Sequence, residues 1–87
     1  MSYAVEWSDR AENQLAKLDR QIARSLVRFM NERVHKSQSP RHIGKQLRDS
    51  AFWRYRVGDY RILCLIEDRR LVVLVVELGH RREIYRR

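Results

Sequence analysis

The stretch "WRYRVGDYRI", residues 53–62, decides the fold. Trp53, Tyr55 and Val57 alternate with Arg54 and Arg56, the period-two pattern of a half-buried strand. Gly58-Asp59 reads as a two-residue hairpin turn. With that turn, Val57 faces Tyr60 and Arg56 stands directly opposite Arg61. Directly opposed side chains share one face of a sheet, and Arg54 joins them from two residues away. Trp53, Tyr55, Val57, Tyr60 and Ile62 take the other face, against helices. Like charges in direct opposition cost a few tenths up to ~1 kcal/mol. An anion between the two guanidiniums reverses the sign of that term, so the hairpin reads as a phosphate holder. The alternative is that the arginines simply reach solvent, where salt screens their repulsion.

Working outward, Tyr60 to Ile66 and the apolar run "LVVLVV", residues 71–76, predict two more strands joined by a turn at "EDRR", residues 67–70. The uninterrupted run is expected to be a central strand covered on both faces. Upstream, Tyr3, Val5 and Trp7 alternate as a short strand. Ser8 or Asp9 then offers an N-cap for a helix carrying Ala11, Leu15 and Leu18. A second helix starts near Asp19, with Ile22, Leu26, Phe29, Met30 and Val34 as its apolar stripe. "KSQSPRHIGKQL", residues 36–47, is the loop of the molecule and holds its one proline. The expected order is β-α-α-β-β-β: an α+β class, residues 1–87 as one domain, with two antiparallel helices packed on a small antiparallel sheet.

Charge points to the partner. Formal net charge is +8, and 16 of the 19 cations are arginine. Arginine presents a planar fork that matches phosphate oxygens, whereas lysine is a point charge. Residues 1–38 carry seven cations and five anions, while residues 39–87 carry twelve and six. A nucleic acid is therefore the first candidate partner of the C-terminal half, with an acidic protein or plain solubility as alternatives. No apolar run approaches the ~20 residues that span a bilayer, and no secretory signal is seen. A lone cysteine, Cys64, suits a reducing cytosol. Three scattered histidines lack metal-ligand spacing. Cytoplasmic location, no membrane partner, no metal and no cofactor are the expectations.

The segment "ELGHRREIYRR", residues 77–87, follows the apolar run, with Gly79 expected to allow a sharp exit. His80 is the natural proton shuttle of this segment. Tyr85 offers a phenol that stacks on a base or moves a proton. Arg81 and Tyr85 are expected to emerge beside the strand carrying Arg61. The candidate phosphate contacts are Arg41, Lys45 and Arg48 in the basic loop, Arg54 on the hairpin, and Arg82 and Arg86 near the C-terminus. His42 sits in the same loop. Glu77 and Glu83 read as ion-pair partners for arginines, and Cys64 as a small core residue.

With these residues in view, the chain resembles the RelE/ParE superfamily of type II toxins, on the RelE side, over essentially its whole length. "WSDRAENQLAKL", "FWRYRVGDYRILCLI" and "VVLVVELGHRREIY" carry the resemblance. It implies a RelE-like fold and a ribosome-dependent, metal-independent mRNA endonuclease that inhibits translation. In that family the ribose 2′-hydroxyl attacks the adjacent phosphate. The implied partners are a cognate antitoxin, and the ribosome and mRNA near the 16S rRNA region of the A site. A toxin–antitoxin hetero-oligomer that binds operator DNA is a further implied assembly. By position, Arg54, Arg56, Arg61, Arg81 and Tyr85 match the family's functional residues. Relatives carry lysines on the second strand where this chain has arginines. Arginine carries protons poorly, so His80 becomes the candidate general acid or base. The expected catalytic set is Arg56, Arg61, His80, Arg81 and Tyr85. The competing readings are a ParE-like DNA gyrase inhibitor and a non-catalytic nucleic-acid-binding module.

Overall fold

A two-residue turn does close the hairpin, with Gly58 at φ +59 in its first central position, the requirement of a type II′ turn. The computed structural model describes residues 1–84. Their order is β1 (Ala4–Trp7), α1 (Asp9–Ala16), α2 (Arg20–Phe29), a π-helical turn (Met30–Val34), α3 (Pro40–Ile43), β2 (Lys45–Gln46), β3 (Trp53–Val57), β4 (Tyr60–Glu67), β5 (Val72–His80) and α4 (Arg81–Ile84). The strands form one sheet in the order β1-β5-β4-β3-β2.

β2 to β5 pair antiparallel, but β1 lies parallel to β5, with Val5 beside Val73 and Trp7 beside Val75. The sheet is thus mixed rather than wholly antiparallel. α1 to α3, β2 and the hairpin lie between β1 and β5 in the chain, a connection long enough for a parallel pairing. β4, not the 71–76 run, occupies the middle of the sheet. β5 also extends to His80, so Gly79 sits inside a strand, opposite Arg61, instead of at the strand's exit.

A bulge explains the pattern of β5. Cys64 pairs with Val75, but Leu63 pairs with Glu77, which leaves Val76 as the extra residue. Before the bulge Val73 and Val75 point into the core. After it, Leu78 does, and Glu77 turns to the opposite face. An unbulged strand would aim Glu77 at the core, because a one-residue shift flips every side chain.

Helices cover one face of the sheet. Tyr55, Ile62, Cys64, Val73, Val75 and Leu78 meet Ala11, Leu26, Met30 and Val34 there, all fully or almost fully buried. Ser8 caps α1, accepting from the Ala11 N–H at 3.1 Å and donating to the Val76 carbonyl at 3.0 Å. With Ser8 as cap, Asp9 becomes the first helical residue. α1 lies along β5, and beyond Trp7 it takes over the exposed edge of that strand. The Leu78 N–H donates to Gln14 Oε1 at 2.8 Å, and Arg10 Nη2 to Glu77 Oε1 at 2.7 Å. On the outer edge of β1, the Tyr3 N–H donates to the Ser37 carbonyl and the Val5 N–H to His35 Nδ1. That edge is closed to further pairing at these positions.

α3 is pinned from two sides. The Tyr55 hydroxyl donates to the Pro40 carbonyl at 2.8 Å. Arg41 makes a two-pronged pair with Asp68 at 2.9 Å on each arm, and Asp68 also accepts from the Tyr3 hydroxyl at 2.6 Å. Gly44 follows because a Cβ there would lie 2.8 Å from the Tyr55 ring and 2.9 Å from the Arg54 carbonyl oxygen. Hydrogen bonds from Arg41 and then Tyr3 hold the Asp68 carboxyl down at about 2.

A depressed carboxylate stabilises the fold above its unfolded value, near 3.9, and loses that contribution as pH falls through its folded value. Asp68→Asn should therefore be less stable than the parent at neutral pH. Urea midpoints of the two proteins should converge between about pH 4 and about pH 2. A gap that stays constant over that range would show that the Asp68 charge contributes nothing.

Candidate functional site

The register of β3 and β4 delivers the arginine face. Arg56 pairs with Arg61 and Arg54 with Leu63, while Val57, Tyr55 and Trp53 alternate to the helix side. Lys45 on β2 stands opposite Arg54, so it joins the same face. β5 contributes Gly79 opposite Arg61 and Glu77 opposite Leu63. The face away from the helices thus carries Lys45, Arg54, Arg56, Arg61 and Glu77, with Leu63, Leu65 and Leu74 beside them.

These cations are not equivalent. Arg56 is exposed, and its Nε reaches back toward the Gly58 carbonyl at 3.5 Å. Arg61 is buried at 4% exposure, where the sequence placed it on an open hairpin face. Its Nη1 donates to the Tyr60 carbonyl at 3.4 Å. The difference has a cause: Arg56 is next to the turn on the outer strand, whereas Arg61 lies on the middle strand, flanked by β3 and β5. Glu77, also buried, sits diagonal to Arg61 and takes the Arg10 ion pair. Glu77 is therefore an ion-pair partner, as its position after the apolar run suggests, and Arg10 is the cation that the sequence left unassigned.

Other candidates separate from this face. His80 pairs with Tyr60 in the ladder, so alternation puts its side chain on the helix side, away from Arg56 and Arg61. Its ring stands edge-on to Tyr60, with centroids 5.6 Å apart, and its Nδ1 accepts the Arg82 N–H at 3.3 Å. Arg81 is exposed, and its N–H donates to the Asp59 carbonyl, which ties the start of α4 to the hairpin tip. A groove lined by Ile22, Leu26, Val57 and Tyr60 runs between the start of α2 and that tip. Arg41 is committed to Asp68 and lies over the Trp53 ring at 5.7 Å, so its fork is taken by a carboxylate. Arg48 is exposed in the loop before β3, and His42 is exposed on α3. Arg82 is exposed as well, at the start of α4. Tyr85 and Arg86 lie outside the described residues.

A helix-backed mixed sheet with a cationic opposite face now has relatives. The family model for the ParE toxin of the type II toxin–antitoxin system parDE matches residues 5–85. The chain belongs to this toxin family. Toxin RelG of Mycobacterium tuberculosis is 34% identical to it over 89 residues, covering 100% of both chains. The RelBE2 toxin–antitoxin complex of M. tuberculosis contains a chain of similar structure, with a TM-score of 0.83, 28% identity and 92% of each chain covered. A mutant of the E. coli toxin RelE in the free state shares the fold, with a TM-score of 0.75 at 23% identity, covering 99% of this chain and 93% of that one. The protein is a type II toxin of the RelE/ParE superfamily, with the expected α+β architecture.

Within the toxin, burial predicts opposite responses from the two facing arginines. Arg56→Ala should leave the unfolding free energy within about 0.5 kcal/mol, the usual range for an exposed site. Arg61→Ala should cost about 1–3 kcal/mol, because hydrogen-bonding groups around a buried cation lose their partner. Denaturant unfolding of the two variants tests this. Equal stabilities would mean that Arg61 is not integrated into the sheet.

Proposed function

We propose that this toxin is a ribosome-dependent mRNA endonuclease that a cognate antitoxin holds inactive. The observation that carries the reading is the Arg56–Arg61 cross-strand pair, with Lys45 and Arg54 in the neighbouring rows of the same face. Similarity to Toxin RelG over the full chain supports the RelE side of the superfamily. The solved complexes of RelE with RelB in related systems support the antitoxin.

In the proposed reaction the ribose 2′-oxygen attacks the adjacent phosphorus. The new bond is O2′–P, and the bond to the 5′-oxygen of the next nucleotide breaks. The 2′-hydroxyl proton leaves to a base, and the departing 5′-oxygen takes a proton. The products are a cyclic phosphate and a 5′-hydroxyl. Charge grows on the phosphoryl oxygens in the transition state, so cations fixed before the reaction stabilise it. Arg56, exposed at the outer strand, takes the phosphate first. Arg61, held in the sheet behind it, acts where water screens less. Arg54 and Lys45 carry the neighbouring phosphates, and Arg81 closes the hairpin-tip end.

Proton transfer falls to His80 or Tyr85. His80 needs a substrate that reaches round the hairpin tip, because its ring packs on Tyr60 on the helix side. Loss of a general acid or base typically costs 10²-fold or more. A second reading, inhibition of DNA gyrase without RNA cleavage, is favoured by one observation: the matching family model is that of ParE.

Primer extension on cellular mRNA after induction separates the two. Codon-linked cuts are expected, and Arg56→Ala should reduce them by at least ~10²-fold, in line with the loss of one positioned transition-state cation. Replication arrest with intact mRNA would replace the RNase reading with the gyrase one.

A further inference from the structure

A second file of arginines lies on the far side of the molecule. Arg20, Arg24 and Arg28 stand one turn apart on α2, all exposed. The core-facing stripe of that helix is Ile22, Leu26 and Phe29. Helical geometry therefore turns the three arginines away from the sheet, onto the surface opposite Arg54, Arg56 and Arg61. They rim a shallow groove whose apolar floor is Ala23 and Val27 and whose far end is Glu32.

The charge pattern is unusual for a helix surface. Some arginines elsewhere among the described residues are matched with carboxylates: Arg10 with Glu77, Arg41 with Asp68, Arg70 with Glu6 and Glu67. No such ion pair involves Arg20, Arg24 or Arg28. Like charges four residues apart destabilise a helix, and this helix repeats them twice in a row.

We infer that the outer face of α2 is a second phosphate-binding surface, one that grips the backbone of a structured RNA. The file runs about 12 Å along the helix axis at 1.5 Å per residue, a straight line of forked donors suited to successive phosphates. Double-stranded RNA is recognised through such backbone contacts more than through its bases. An acidic protein segment is the weaker occupant. Protein interfaces exclude charge from their centres and bury large anchors there. Among its charges this groove offers Ala23, Val27 and Asn31, none of them a large anchor site. The inference rests on the reading of the toxin as RNA-directed, and it gives the toxin two opposed RNA surfaces: one for the substrate strand and one for a folded RNA body. A free mRNA strand engages only the first, which accounts for dependence on a large RNA particle.

The test is the Arg20→Gln/Arg24→Gln/Arg28→Gln variant binding an RNA duplex of about 16 base pairs across a salt series. Each phosphate contact contributes nearly one unit to the slope of log affinity against log salt. The variant should bind about ten-fold more weakly at low salt, with a slope shallower by about 2 to 3 units. The matching triple lysine variant should keep the slope, and thermal unfolding by circular dichroism should match the parent in both. An unchanged affinity and slope would overturn the inference, as would a parent that does not bind the duplex. So would a loss confined to binding of the cognate antitoxin, which would assign the groove to an acidic segment. Codon-linked cleavage by the parent is read separately by primer extension, so either reading can fail while the other stands.

Discussion

The pairing of Val57 with Tyr60 across the Gly58–Asp59 turn fixes where every functional cation on the sheet points. Because strand side chains alternate, the turn puts Arg54, Arg56 and Arg61 on one face and Tyr55 and Ile62 in the core, in a single step. A slip of one residue would bury the arginines and expose the tyrosine. The buried phenol of Tyr55, bonded to the Pro40 carbonyl, resists that slip and carries α3 with it. The same pairing therefore holds both the cationic face and the loop that flanks it.

β5 needs a second device to agree with the hairpin. Its sequence is apolar through Val76 and then reads Glu77, Leu78, Gly79, His80. The bulge at Val76 changes the phase of the strand, so Leu78 fills the core and Glu77 joins the arginines. α1 secures this point: Ser8 binds the Val76 carbonyl, Gln14 receives the Leu78 N–H, and Arg10 meets Glu77. The first helix thereby reaches the cationic face through Arg10. It sets the position of the one carboxylate that β5 brings among the cations.

The cations fall into three kinds by environment. Arg41 and Arg70 are structural ties between loops and strands, matched to carboxylates in the open. Arg61 belongs to the sheet and is nearly inaccessible. Arg56, with Arg20, Arg24 and Arg28 on the opposite side, is exposed. Composition counts all of these alike, and the charge difference between the two halves of the chain points only to the C-terminal half. Three arginines spaced evenly along α2 lie in the nearly balanced N-terminal half.

Local pattern was enough for the two long helices, the four main strands and the hairpin register, but not for α3 and β2, which lie in the stretch read as a loop, or for α4. The first group is set by short-range rules: alternation in strands, the conformation that glycine allows, and the 3.6-residue repeat of a helix face. The fate of individual side chains was not legible, because it depends on neighbours distant in sequence. Arg61 is buried because its strand lies between two others, and Arg41 is taken by Asp68, 27 residues away. His80 faces the helices because an extra residue at Val76 resets the phase of β5. The sequence by itself determined which residues alternate and where the chain turns. Tertiary structure decided which of the charges are left to meet a ligand, since burial and pairing are properties of the assembled sheet.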